Sequence, residues 1–85
     1  MENRIFTIVN RLGLHARAAA AFVQTAGKFS SDIWVEKDDV EVNGKSIMGL
    51  MMLAAEKGST INVRSEGEDC VEAMNTLEEL VAKGF

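Results

Sequence analysis

Arg4-Ile5-Phe6-Thr7-Ile8-Val9, a break across Asn10 to Leu14, and then His15-Ala16-Arg17-Ala18-Ala19-Ala20-Ala21-Phe22 form the stretch that decides the fold class. The first part alternates with period two. Phe6 and Ile8 fall on one face, and Ile5, Thr7 and Val9 on the other, which predicts a strand over 4–9. Gly13 interrupts it. Alanine is the strongest helix former, so the run Ala18 to Ala21 predicts a helix over 16–27, closed by Gly27. With Phe22 as the core direction, Ala19, Phe22, Val23 and Ala26 share one side at helical spacing, while Arg17, Ala20, Gln24 and Gly27 lie roughly opposite.

Moving outward, Ile33 and Val35 alternate with Asp32, Trp34 and Glu36, and Val40-Glu41-Val42 returns after the turn Lys37-Asp38-Asp39, giving a hairpin. A second helix is expected over 46–57, stopped by Gly58, and a fourth strand over 60–65 with Ile61 and Val63 inward. Cys70, Ala73, Met74, Leu77, Leu80 and Val81 make the apolar stripe of a last helix, with Glu72, Asn75, Glu78, Glu79 and Lys83 facing water. Asp69 stands in its capping position and Glu72 three residues on in the capping-box position. The order is β-α-β-β-α-β-α. Short loops, a hairpin and amphipathic strands predict an α+β fold: an antiparallel sheet with helices on one face.

Eighty-five residues suffice for one two-layer core, so residues 1–85 are expected to form one domain. The net charge of −4, with no basic stripe, argues against a nucleic-acid partner, because phosphate contacts require clustered Lys and Arg. A lone cysteine, Cys70, cannot form an internal disulfide and is expected in the core of a protein from a reducing compartment, the cytoplasm. Residues 1–10 do not read as a signal peptide, and the apolar run Ile47 to Ala55 is too short for a bilayer, so no membrane insertion is expected. No Cys/His cluster or cofactor motif stands in the chain; neither a metal nor a cofactor is expected.

The chemistry concentrates at Gly13-Leu14-His15-Ala16-Arg17. His15, the only histidine, sits where a loop becomes a helix. The first N–H groups of a helix lack internal partners, and the dipole makes that end electropositive, so an anion is stabilised there. Arg17 adds a permanently charged fork suited to phosphoryl oxygens. A nucleophilic nitrogen, free donors and an arginine within three residues suit a phosphoryl group carried on histidine. Ser46 opens the second helix as an N-cap. Gly44-Lys45-Ser46 is no P-loop, because Asp39 stands where that motif needs glycine. In the second helix Leu50, Leu53 and Ala54 define a core face. Ile47 and Met51 flank it and Met48 and Met52 lie opposite, an adaptable surface for protein docking.

Gly13-Leu14-His15-Ala16-Arg17, followed at matching distance by Asn43-Gly44-Lys45-Ser46-Ile47-Met48-Gly49 and by Ala55-Glu56-Lys57-Gly58-Ser59-Thr60, resembles the HPr family of histidine-containing phosphocarriers of the bacterial phosphotransferase system. The resemblance covers essentially the whole chain. It implies an open-faced sandwich, with a four-stranded antiparallel sheet of order 1-4-2-3 under three helices. It further implies that His15 takes a phosphoryl group from phosphorylated enzyme I and passes it to an enzyme IIA domain. Arg17 would neutralise the phosphoryl oxygens, and Ser46 would be the regulatory target of an HPr kinase/phosphorylase. Ala20 and Gln24, beside Arg17, join Ile47, Met48, Met51 and Met52 as expected partner-binding residues of a monomer. Ala18 departs from the proline usual at that place in the family. The competing reading is an HPr-like regulatory module, of the nitrogen branch or of catabolite control, whose output is protein binding and not sugar uptake.

Overall fold

Alternation along the four strands sorts their side chains onto two faces, and helices cover only one of them. The computed structural model describes residues 1–85. Its elements are β1 (Glu2–Thr7), α1 (Ala16–Ala26), β2 (Asp32–Lys37), β3 (Val40–Asn43), α2 (Ile47–Met52), β4 (Thr60–Glu66) and α3 (Cys70–Ala82). All strand pairs are antiparallel, and the sheet order is β1-β4-β2-β3. The inward residues Phe6, Ile33, Val35, Ile61 and Val63 join Ala19, Phe22, Leu50, Met74 and Leu77 of the helices in one buried core. The opposite sheet face, with Ile5, Trp34, Asn62 and Arg64, carries no helix; Arg64 stacks on the Trp34 ring at 4.6 Å.

The faces expected for β1 are those observed, with Phe6 and Ile8 buried and Ile5 and Val9 exposed. The strand itself runs two residues earlier than expected. Ile8 pairs instead with the turn before β4, donating to the Ser59 carbonyl at 2.9 Å and accepting from Gly58 N–H at 2.7 Å. In α1, Ala19, Phe22 and Ala26 are buried, Val23 is half-buried, and Gly27 is the C-cap.

α2 is the largest correction. It spans six residues, not the twelve expected over 46–57. Leu53 caps it, and Ala54 turns into the left-handed region at φ +49°. Ala54 therefore faces solvent and Ala55 is buried in its place. The apolar character of this run favours a longer helix. Tertiary bonding ends it, because the Ala55 carbonyl accepts from Leu14 N–H at 2.8 Å and Gly58 N–H is taken by Ile8.

Asp69 is the second correction. It precedes α3 but makes no side-chain cap, and the expected capping box with Glu72 does not form. Its carboxylate reaches the α1–β2 loop, accepting from Ser30 N–H at 2.9 Å, Ser31 N–H at 3.0 Å and the Ser31 hydroxyl. Gly67 allows this approach: at φ +147°, a Cβ there would lie 2.5 Å from Ser31 Oγ and 2.8 Å from its Cα. The hydrogen bond from the Ser31 hydroxyl, then those from the backbone N–H groups, hold the Asp69 carboxyl below its ordinary pKa of 3.8. Cys70, immediately after it, is buried in the position expected of a core cysteine.

Candidate functional site

The loop before α1 has its path set by backbone contacts. Gly13 N–H donates to the Asn10 carbonyl at 3.1 Å, and Asn10 Nδ2 donates to the Gly13 carbonyl at 2.6 Å. Gly13 adopts φ +67° and lies so close to the segment after α2 that a Cβ would sit 2.3 Å from the Ala55 carbonyl oxygen. Only glycine meets both conditions. Leu14 then buries its side chain in the core, which leaves the next residue at the surface with extended backbone, φ −78° and ψ −177°. That residue is His15, the N-cap of α1.

An N-cap side chain folds back to accept from the N–H two or three residues on. Serine, threonine, aspartate and asparagine are the usual residues; here an imidazole does it. His15 Nδ1 accepts from Arg17 N–H at 3.3 Å, and the His15 carbonyl accepts from Ala19 N–H at 2.8 Å. An accepting Nδ1 carries no proton, so the neutral ring holds its proton on Nε2. The nucleophilic lone pair therefore points at the electropositive end of an eleven-residue helix. The five ion pairs of the chain leave the exposed Arg17 guanidinium uncommitted.

His15 and Arg17 share a depression of about 200 Å3 with Ala18, Ala21, Gly84 and Phe85. The last two arrive through the end of α3. Phe85 N–H donates to the Leu80 carbonyl at 3.0 Å and Gly84 N–H to the Val81 carbonyl at 3.0 Å, the Schellman pair of bonds. Phe85 packs half-buried on the core beside the site. Sequence reasoning missed this wall. The signal was Gly84 just past the last helical stripe, with apolar Phe85 following and Leu80 as its partner.

The other expected site residues lie outside that depression. α1 packs beside α2, with Ala20 half-buried and Gln24 exposed. Ser46 is the N-cap of α2, its Oγ accepting from Gly49 N–H at 3.0 Å. Leu50 and Leu53 are buried, while Met48 and Met52 are 75% and 73% exposed and Ile47 and Met51 are partly so. Lys45 Nζ donates to the Phe29 carbonyl at 2.8 Å, a structural use consistent with the failed P-loop match.

A family model described as "PTS HPr component phosphorylation site" matches residues 2–83 of this chain. The chain belongs to the HPr family. It is 58% identical over 81 residues to the phosphocarrier protein HPr of Neisseria meningitidis, covering 95% of this chain and 91% of that one. The crystal structure of HPr-C-His from Thermoanaerobacter tengcongensis superposes with a TM-score of 0.96 at 50% identity, covering 100% of this chain and 96% of that one. The HPr-like protein Crh of Halalkalibacterium halodurans is 53% identical over 73 residues, 86% of this chain and 87% of that one. HPr proteins are phosphocarriers of the phosphotransferase system, and the partners this implies are proteins of that system, such as enzyme I and enzyme IIA. The open sandwich and the 1-4-2-3 order implied by the HPr resemblance are those observed. No helix is long and apolar enough to cross a membrane.

Proposed function

We propose that His15 Nδ1 is the phosphoryl carrier, loaded by phosphorylated enzyme I and unloaded onto an enzyme IIA domain, and that the protein acts as a cytoplasmic monomer. The observation that carries this reading is the capping geometry: His15 Nδ1 accepting from Arg17 N–H at 3.3 Å, on the residue two before a guanidinium with no ion-pair partner. In the transfer, the Nδ1 lone pair forms the N–P bond as the donor's bond to phosphorus breaks and its electron pair leaves on the donor. Arg17 N–H, which loses Nδ1 as acceptor, then meets phosphoryl oxygens, and the Arg17 side chain offers a charge-assisted fork to the same group. Incubation with enzyme I and phosphoenolpyruvate gives an acid-labile, alkali-stable phosphate that is absent from His15→Ala. Label persisting in that variant overturns the assignment. Arg17→Ala slows transfer while its melting temperature stays near that of the wild type, because the side chain is exposed and unpaired.

Regulation through Ser46 by an HPr kinase/phosphorylase is part of the same proposal. Ser46 Oγ serves the fold only as an acceptor from Gly49 N–H, a role phosphate oxygens can also fill. The added dianion stands at the edge of the exposed Ile47–Met52 surface, where a docking partner must lose water, so binding of enzyme I weakens without a change of fold. Equal transfer rates to the phosphoserine and unmodified forms would remove this part. The kinship with Crh supports the regulatory alternative, a module whose output is protein binding through that surface. Retention of His15 in its capping geometry favours the carrier.

A further inference from the structure

Four N–H groups at the start of any α-helix have no partner within the helix. At the start of α1 the His15 ring takes the N–H of Arg17. The N–H of Ala18, one residue on, is accepted by no group of the protein. Ala18 itself is only 2% exposed, and its residue lines the depression it shares with His15 and Arg17. A backbone donor buried without an acceptor is costly, so its presence here is informative.

Geometry says where that donor points. The positions whose N–H groups a capping side chain can reach are the second and third residues of the helix. In α1, which begins at Ala16, these are Arg17 and Ala18. His15 Nδ1 has one lone pair and uses it on Arg17, which leaves the Ala18 N–H aimed at the same capping position with nothing to receive it. A phosphoryl group on Nδ1 changes the count. It removes the single nitrogen acceptor and brings three oxygens to that position. One can accept from Arg17 N–H and another from Ala18 N–H.

We infer that the Ala18 amide is a phosphoryl-binding donor of this chain, one that a proline at position 18 cannot supply. The inference rests on His15 as the carrier. Proline has no N–H, so the residue that departs from the family's usual pattern adds a hydrogen bond to an anion where proline offers a fixed φ. A charge-assisted bond of this kind stabilises the phosphorylated state and leaves the free state unaffected.

The test compares the wild type with Ala18→Pro and Ala18→Gly. Wild-type protein is first loaded with potassium phosphoramidate and the phosphate located. If none resides on His15, both this inference and the carrier reading fall. With His15 loaded, a catalytic amount of enzyme I equilibrates the phosphoryl group between equal concentrations of wild type and variant. Partition against Ala18→Pro is expected to favour the wild type on the order of tenfold, about 1.4 kcal/mol. Against Ala18→Gly, which keeps the amide, it is expected near unity. Equal partition between wild type and Ala18→Pro overturns the inference and leaves His15 as carrier. A loss with Ala18→Gly equal to that with Ala18→Pro also overturns it, since the amide is then not the cause. A second measurement needs no variant. In 15N-labelled wild type the Ala18 amide proton moves downfield and exchanges more slowly on phosphorylation; an unmoved Ala18 resonance rejects the bond.

Discussion

The starts of α1 and α3 look alike in sequence and are used in opposite ways. Each has a glycine shortly before a polar residue, followed by a helical run: Gly13 before His15, and Gly67 before Asp69. Each glycine combines a positive φ with so close an approach to a neighbouring segment that a Cβ would clash there. At α1 the polar side chain folds back onto its own helix, and the site it makes is open to the surface. At α3 the side chain leaves its helix and ties down Ser30 and Ser31, two residues of another loop. Asp69 has its acceptor capacity filled by neighbours, whereas the His15 ring faces donors that outnumber it. The filled one holds the fold together; the one with donors to spare is fitted to bind an anion.

The sharpest way to break this contrast is to remove what places His15. Gly13→Ala forces a Cβ to within 2.3 Å of the Ala55 carbonyl oxygen at a positive φ, and the expected cost is about 2–4 kcal/mol in urea unfolding. Phosphate uptake falls with it, because the loop can relieve the clash only by moving off Ala55. If Gly13→Ala is as stable as the wild type, backbone contact with the α2–β4 segment does not place the site.

An intermediate effect is expected at the other start, and it depends on pH. The folded pKa of Asp69 is depressed, so its stabilising contribution is fully present above the ordinary carboxylate value of 3.8 and is lost as pH falls from there through the folded value. Asp69→Asn therefore melts below the wild type at neutral pH, and the gap closes on acidification below 3.8. Phosphate uptake by folded Asp69→Asn stays unchanged. A gap that is constant with pH rejects the carboxylate's role, and lost uptake in a folded variant erases the division of labour between the two starts.

The smallest effect on stability belongs to the surface beside the site. Met48→Glu and Met52→Glu replace side chains 75% and 73% exposed, so unfolding free energies change by no more than about 0.5 kcal/mol. Affinity for enzyme I, read by calorimetry, drops about tenfold, or ~1.4 kcal/mol, if these side chains are desolvated on docking. Collapse of either variant makes the methionines part of the core, and unchanged affinity removes the patch from the docking surface.

The errors of sequence reasoning have one origin. Ile47 to Ala55 is apolar enough to read as a long helix, yet its last residues leave helical geometry because Leu14 needs the Ala55 carbonyl. Asp69 with Glu72 matches a capping box, yet two serine amides and a serine hydroxyl from 38 and 39 residues away are better partners for its carboxylate. Phe85 lines the same depression as His15 although 70 positions separate them in the numbering of the chain, a juxtaposition no local pattern encodes.

What the chain determined by itself is what repeats with a short period or lies within one turn. Strand faces, the alanine helix, the buried stripe of α3, and the juxtaposition of His15 with Arg17 all follow from side chains two to four residues apart, where backbone geometry leaves few choices. Tertiary structure decided everything that depends on a distant acceptor or donor. It ended α2, turned Asp69 outward and closed the His15 depression with the end of α3. The physical reason is that buried backbone polar groups must find partners somewhere. Which partner wins depends on the segments that packing brings alongside.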